Sequence, residues 1–143
     1  MSELDCVLCA GSVVVADGSL LLVRRANPPG AGRWSLPGGR VEEGETVEEA
    51  ARRETFEETA LEIRIRHLLG TADIAAPAGR YLVCDFLAEP VTEHAELRAG
   101  SDASEAAFVP LPDVLGLDLV AGLGDWLVAH GVVDGGDDPS SLG

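Results

Sequence analysis

The chain has 143 residues, of which 46% are hydrophobic and 24% charged, and a formal net charge of −15. That length supports a single domain with a proper core, and the negative charge argues against a nucleic-acid footprint or an anionic membrane surface. A phosphate-bearing ligand would be repelled too, unless a metal ion or local arginines intervened.

All ten basic residues are Arg, a bias that genome composition alone would produce. The beginning, MSELDC, is acidic where a secretory signal is basic, and no apolar run is long enough to span a bilayer. A cytoplasmic location is the expectation. Cys6, Cys9 and Cys84 are an odd count, which disfavours a disulfide framework. Cys6 and Cys9 form a CxxC without a second pair or a nearby His, so buried strand cysteines are expected and zinc is not.

In chain order, residues 6–16 (CVLCAGSVVVA) are β-branched and apolar, as in a buried strand. Asp17-Gly18 signals a hairpin, with 20–25 (LLLVRR) as the partner strand. Its last residues, Arg24 and Arg25, point to opposite faces, so one of them can reach a phosphate while both can equally lie in solvent. A Pro/Gly loop, NPPGAGR, leads to Trp34-Ser-Leu36 and the tight Pro37-Gly38-Gly39 turn. Trp34 reads first as core packing, with stacking on a base as the other use.

Thr46 followed by Glu49 fits a capping box and starts a helix. Val47, Ala50, Ala51, Glu54, Glu57, Glu58 and Leu61 share one broad face of it, while Glu48, Glu49, Arg52, Phe56 and Thr59 form a back face expected mostly in solvent. Glu54, Glu57 and Glu58 stand at i, i+3 and i+4, so three carboxylates are presented together. Like charges at that spacing repel, and a divalent cation would remove the conflict.

Beyond the helix, 62–67 (EIRIRH) alternates like a half-buried strand, 72–80 reads as a loop or hairpin connection, and 81–88 (YLVCDFLA) as a core strand. The stretch 89–105 is polar and irregular, with a turn at Gly100-Ser101-Asp102. Residues 107–111 (AFVPL) read as a short strand limited by Pro110. Pro112 opens a short helix, and 118–130 has Leu119, Leu123, Trp126 and Leu127 at helical spacing. The Gly/Asp/Ser/Pro composition from residue 134 predicts a disordered tail. The reading is one domain over 1–131, with a tail over 132–143.

The segment 39–61, GRVEEGETVEEAARRETFEETAL, resembles the Nudix box, with Gly39, Glu45, Arg53, Glu54, Glu57, Glu58 and Leu61 in register. The upstream WSLPGG and VRR are similar to what family members carry. Two positions depart: Ala60 stands where Gly is usual, which bears on helix termination, and Thr55 where an aliphatic residue is more common. The resemblance implies an α/β fold, the Nudix α/β/α sandwich, with a mixed β-sheet between the box helix and a C-terminal helix. It implies that Glu54, Glu57 and Glu58 bind metal, with the Gly39 carbonyl adding a ligand, and that Arg53 pairs with Glu45 to brace the loop.

Carboxylates beside phosphate oxygens favour Mg2+ or Mn2+. The catalytic candidates are Glu58, Glu57, Arg53 and Glu105. Glu58 is one candidate for the base, and Glu105 resembles the later-loop acid of other members, with Asp102 as its nearby substitute. Arg24, Arg25, Trp34 and Arg40 are candidates for substrate contact. His67, His94 and His130 show no ligand spacing. Pro77 matches a spacing seen in the ADP-ribose-cleaving branch, but a turn there would want proline anyway.

The activity implied is metal-dependent hydrolysis of a nucleoside diphosphate linked to another moiety, X, with ADP-ribose or a similar nucleotide sugar first. Alternatives are an 8-oxo-dGTP-type triphosphate pyrophosphohydrolase and a nucleotide-sensing domain without catalysis. The expected partner is a nucleotide-type small molecule, not a nucleic acid polymer or a membrane. Family members are often dimers, so a homodimer is compatible, although no apolar seam marks an interface.

Overall fold

The computed structural model describes residues 6–28, 30–76, 79–92 and 96–135. Pro77, His94 and residues 136–143 of the tail lie outside them. Ten elements follow one another: β1 Cys6–Ala16, β2 Ser19–Arg25, β3 Trp34–Ser35, β4 Gly38–Arg40, α1 Val47–Thr59, β5 Ile63–Ala76, β6 Gly79–Pro90, β7 Ala103–Pro110, α2 Leu111–Val114 and α3 Leu123–Ala129. None of the described helices is long and apolar enough to cross a membrane.

The strands order as β3-β2-β1-β6-β5, with β4 also beside β1 and β7 beside β2. The β1–β6 pair is parallel and the others are antiparallel, so the sheet is mixed. Side chains alternate across a strand, and both faces of the central strands are covered. Val13, Leu20 and Leu22 pack with Leu123 and Leu127 of α3. Val14 and Leu21 pack with Leu61 and Ile63, and Ala10 and Phe86 with Ala50 and Ala51 of α1. Helices on the two faces of one sheet make an α/β/α sandwich. Leu20, Leu21 and Leu22 are each fully buried, and each such side chain contributes about 2 kcal/mol to holding the layers together.

The capping box at Thr46 is formed in both directions, Glu49 N–H to Thr46 Oγ1 at 3.0 Å and Thr46 N–H to Glu49 Oε1 at 2.9 Å. The back face of α1 is mostly solvated as expected, with Glu48, Glu49, Arg52 and Phe56 exposed, but Thr59 is fully buried, as is Thr55. Thr55 donates to Ser12 Oγ at 2.9 Å, and Ser12 donates on to the Ala51 carbonyl at 3.4 Å. A hydroxyl on β1 thus matches the Thr that stands at a normally aliphatic position. Thr59 is buried because the chain after Pro90 folds back over the helix end. Arg98 N–H donates to the Thr59 carbonyl at 2.8 Å and Gly100 N–H to the Glu58 carbonyl at 3.0 Å, satisfying groups that a helix C-terminus leaves open.

Other expectations need correction. Of the two alternatives for 72–80 the hairpin connection holds, but most of the stretch is strand: β5 runs to Ala76 and pairs antiparallel with β6 from Gly79, a long ladder that overrides weak local propensity. Strand β7 begins at Ala103, four residues before the expected start, held by pairing along β2. The last helix starts only at Leu123. Residues 118–120 instead bond to Trp34 through its N–H and carbonyl, and Gly122 at φ 84° breaks the helical path. Cys6 is exposed at the start of β1, while Cys9 and Cys84 are half-buried, so the cysteines are not uniformly buried.

Ala60 terminates α1 in the left-handed conformation, φ 64° and ψ 15°, with its N–H on the Phe56 carbonyl. A Cβ is strained there. Ala60→Gly is therefore expected to raise stability by up to about 1 kcal/mol, read as a higher denaturant midpoint at unchanged slope. A lower midpoint would show that the cap is not strained.

Candidate active site

Arg53 ties the loop before the helix to the helix itself. Its Nε donates to Glu45 Oε2 at 2.7 Å and its Nη2 to Glu45 Oε1 at 3.1 Å, a bidentate pair. Nη2 also donates to the Arg40 carbonyl at 3.0 Å, and Nη1 to Glu54 Oε2 at 3.0 Å and Glu57 Oε1 at 3.1 Å. Arg53 holds the Glu45 carboxyl below the usual range, chiefly through these hydrogen bonds. Burial raises the Glu54 carboxyl, with Arg53 working against it.

The carboxylates of the helix then part company. Glu54 lies directly under Gly39, where an added Cβ would overlap its carboxyl group. Glu58 is turned inward and accepts a hydrogen bond from Gly38 N–H at 3.1 Å. Both border a cleft of about 290 Å³ with Arg25, Gly39 and Asp102. Glu57 is 56% exposed, is held by Arg53, and does not line that cleft.

Burial pushes the Glu58 pKa up to about 7; Glu54 and Asp102 add to the rise, and the Gly38 N–H and Arg25 oppose it. The protein therefore gathers more negative charge here than it neutralises. Among the described residues, no three His, Cys, Asp or Glu side chains already converge on one point as a formed metal cage. The hard oxygen donors, their mutual repulsion and the close approach of the Gly39 backbone to the Glu54 carboxyl fit a divalent cation.

The loop that covers the end of α1 supplies Asp102. Gly100 approaches the helix so closely that a Cβ would overlap the Glu57 carbonyl. Asp102 is tied to the loop after β2 by Ala26 N–H to its carbonyl at 3.1 Å and by Asn27 Nδ2 to its Oδ1 at 3.5 Å. Glu105 sits on β7 opposite Arg24, pairs with it at 3.0 Å, and is 53% exposed outside the cleft. The GSD turn was the local signal for this loop; its closure onto the helix carried none.

The arginines of β2 divide. Arg24 turns to Glu105 and the Gly32 carbonyl, while Arg25 borders both the cleft and a larger cavity of about 610 Å³. Ser35, Leu36, Gly38 and Gly39 also border both, so the two spaces adjoin. Trp34 packs against the core beside α3 and lines neither. Arg40 lies outside both as well, its guanidinium 5.9 Å above the Tyr81 ring. Trp126, read from the sequence only as one of the residues at helical spacing, is a cavity wall, with its Nε1 donating to the Thr71 carbonyl at 3.0 Å. Asp85 lies in the same cavity, and burial raises its pKa to about 6.

These shifts set a pH dependence. An acid whose folded-state pKa is raised contributes stability below its unfolded value, and that contribution is lost as pH rises through the folded value. For Glu58 and Asp85 the window runs from about pH 4 to about pH 7. Glu45 and Glu89, both lowered by arginine partners, act oppositely and lose their contribution on further acidification. With divalent ions chelated, the melting temperature is expected to fall between about pH 5 and 7.5, and less steeply in Glu58→Gln. A flat profile would contradict it.

Comparison with known proteins agrees with this architecture. The NUDIX domain profile matches residues 8–129. An ADP-ribose pyrophosphatase of Methanocaldococcus jannaschii is 42% identical over 101 residues, 69% of this chain and 59% of that protein. An oxidized purine nucleoside triphosphate hydrolase of Danio rerio is 45% identical over 58 residues, 41% of this chain and 37% of that protein. The chain thus matches less than two thirds of the length of either relative. The NUDIX domain of Shewanella oneidensis NrtR, solved in complex with ADP ribose, aligns with TM-score 0.72 at 26% identity, covering 87% of this chain and 85% of that one. With the profile spanning the sheet and both flanking helices, the chain belongs to the Nudix family.

Proposed function

We propose that this chain hydrolyses the diphosphate bond of a nucleoside diphosphate linked to another group, releasing a nucleoside monophosphate and the phosphorylated group. ADP-ribose or a similar nucleotide sugar is the first candidate. The observation that carries the reading is the cleft where Glu54, Glu58 and Asp102 meet Arg25 beside a cavity large enough for a nucleoside. The similarity to the ADP-ribose pyrophosphatase over 69% of the chain supports that substrate class.

Mg2+ or Mn2+ would be held by Glu54 and Glu58, with the Gly39 carbonyl and Glu57 as further oxygen donors. Such a cation supplies charge neutralisation at the phosphoryl group and a more acidic bound water. The chain's own residues do the rest. Arg25 stands between the two spaces and holds a phosphate oxygen there. In the reaction a water oxygen bonds to one phosphorus, the bridging P–O bond breaks, and a carboxylate takes the water's proton. Glu58 and Asp102 are the acids available for that step, because Glu105 is committed to Arg24.

The second reading is hydrolysis of oxidised purine nucleoside triphosphates, favoured by the similarity over 58 residues to an enzyme of that description. A panel containing ADP-ribose and 8-oxo-dGTP, with Mg2+, Mn2+ or chelator, separates the two. Metal-dependent release of a monophosphate from ADP-ribose is the expected result. Glu58→Gln and Glu57→Gln are each expected to lower kcat by about 100-fold or more with the fold intact, and Asp102→Asn to cost more than Glu105→Gln. Tight nucleotide binding without turnover under either metal would instead identify a sensing domain.

A further inference from the structure

The larger cavity contains a carboxylate that hydrolysis does not use. Asp85 lies in the middle of β6, between Val83 and Leu87 on the face turned toward α3, and only 5% of it is exposed. An apolar residue would suit that place. No hydrogen bond or ion pair from the described residues reaches its carboxylate, and the one opposing charge acting on it is His130. Yet no fully occluded side-chain nitrogen or oxygen among those residues lacks a hydrogen bond. The Asp85 oxygens are therefore not sealed in, and they open on the cavity that Asp85 lines.

Gly11 makes the room. It is the partner of Asp85 in the parallel ladder, and a Cβ on Gly11 would overlap Asp85 Oδ1. Carboxylate and space thus come as one unit on two central strands. Much of the surrounding wall is apolar, from Leu36, Ile74, Val83, Leu123 and Trp126, with Arg25 and Asp73 as its other charged groups. Trp126 is held in place by its bond to the Thr71 carbonyl and its stacking on His130, with centroids 4.0 Å apart. A buried, unpaired carboxylate is costly to fold around, and a ligand that donates to it removes the cost. A second phosphate would be repelled by it. A flat, largely apolar ring system carrying N–H donors fits both the wall and the acceptor.

We propose that Asp85 is a specificity-determining residue that accepts hydrogen bonds from the amino-bearing edge of a purine base, so that the larger cavity is the base pocket. The proposal rests on the reading that the chain takes a nucleotide. It does not depend on turnover.

The test is equilibrium binding to the full chain without divalent ions, using AMP, GMP, purine riboside 5′-monophosphate and ribose 5-phosphate. Purine riboside 5′-monophosphate differs from AMP only in lacking the amino group. Wild type is expected to bind AMP or GMP about tenfold or more tightly than the amino-free nucleotide. Asp85→Val is expected to abolish that preference while raising the melting temperature at pH 7.5, and Asp85→Asn, which keeps an acceptor oxygen, to retain part of the preference. Equal affinity for amino and amino-free nucleotides, no binding of any of them, or an unchanged preference in Asp85→Val would overturn the proposal. So would a lower melting temperature in Asp85→Val, which would assign the carboxylate a structural role. Because binding is read without hydrolysis, failure of the catalytic reading leaves a different record: amino-dependent binding with no metal-dependent product.

Discussion

The guanidinium of Arg53 is where the loop, strand β4 and helix α1 become one body. Its donors reach Glu45 in the loop, the Arg40 carbonyl at the end of β4, and Glu54 and Glu57 on its own helix. A planar fork with fixed donor directions holds several acceptors at once, which a lysine ammonium could not do in the same geometry. The pair with Glu45 is largely shielded from solvent, so screening weakens it less than an ordinary surface pair. All the Arg53 contacts go to these groups and Glu42, and none to Glu58 or Asp102. The site is left electrostatically incomplete by construction.

That incompleteness is organised by close backbone approaches. Gly38 rests on β1, where a Cβ would overlap the Ala10 carbonyl, and its N–H meets Glu58. Gly39 leaves space over Glu54, and Gly100 lets the 96–102 loop seal the helix end and deliver Asp102. Three glycines bring three carboxylates to one cleft. The same device recurs in the neighbouring cavity, where Gly11 makes room for Asp85.

The two carboxyl groups that burial raises furthest, Glu58 and Asp85, hold desolvated charge in a small domain where, among the described residues, no fully occluded side-chain nitrogen or oxygen lacks a hydrogen bond. Thr55, Ser12 and Thr59 show how such groups are normally accommodated, through a continuous hydrogen-bonded chain between α1 and β1. Glu58 accepts only the Gly38 N–H and Asp85 no hydrogen bond from the described residues, and both open on cavities. Local departures from good folding practice of this kind mark places shaped for a ligand.

Much of this was legible in the residues. Helix α1, its capping box, strands β1 and β2, and the clustering of Glu54, Glu57 and Glu58 follow from periodicity and spacing, because those signals act within a few residues. The strained Ala60 cap is equally local. What spacing could not decide was direction across distance. Glu57 and Glu58 are adjacent in the chain, yet Arg53 draws one outward while the sheet encloses the other. Asp102 enters the cleft and Glu105 leaves it because the β2–β7 register sets Glu105 opposite Arg24. Asp85 looked like one polar residue in a core strand until parallel pairing set it beside Gly11. The sequence by itself determined the family, the main helix and the cluster of acidic ligand candidates. Only the tertiary structure decided which carboxylates share a cavity, because that depends on strand register and backbone approach between residues far apart in the chain.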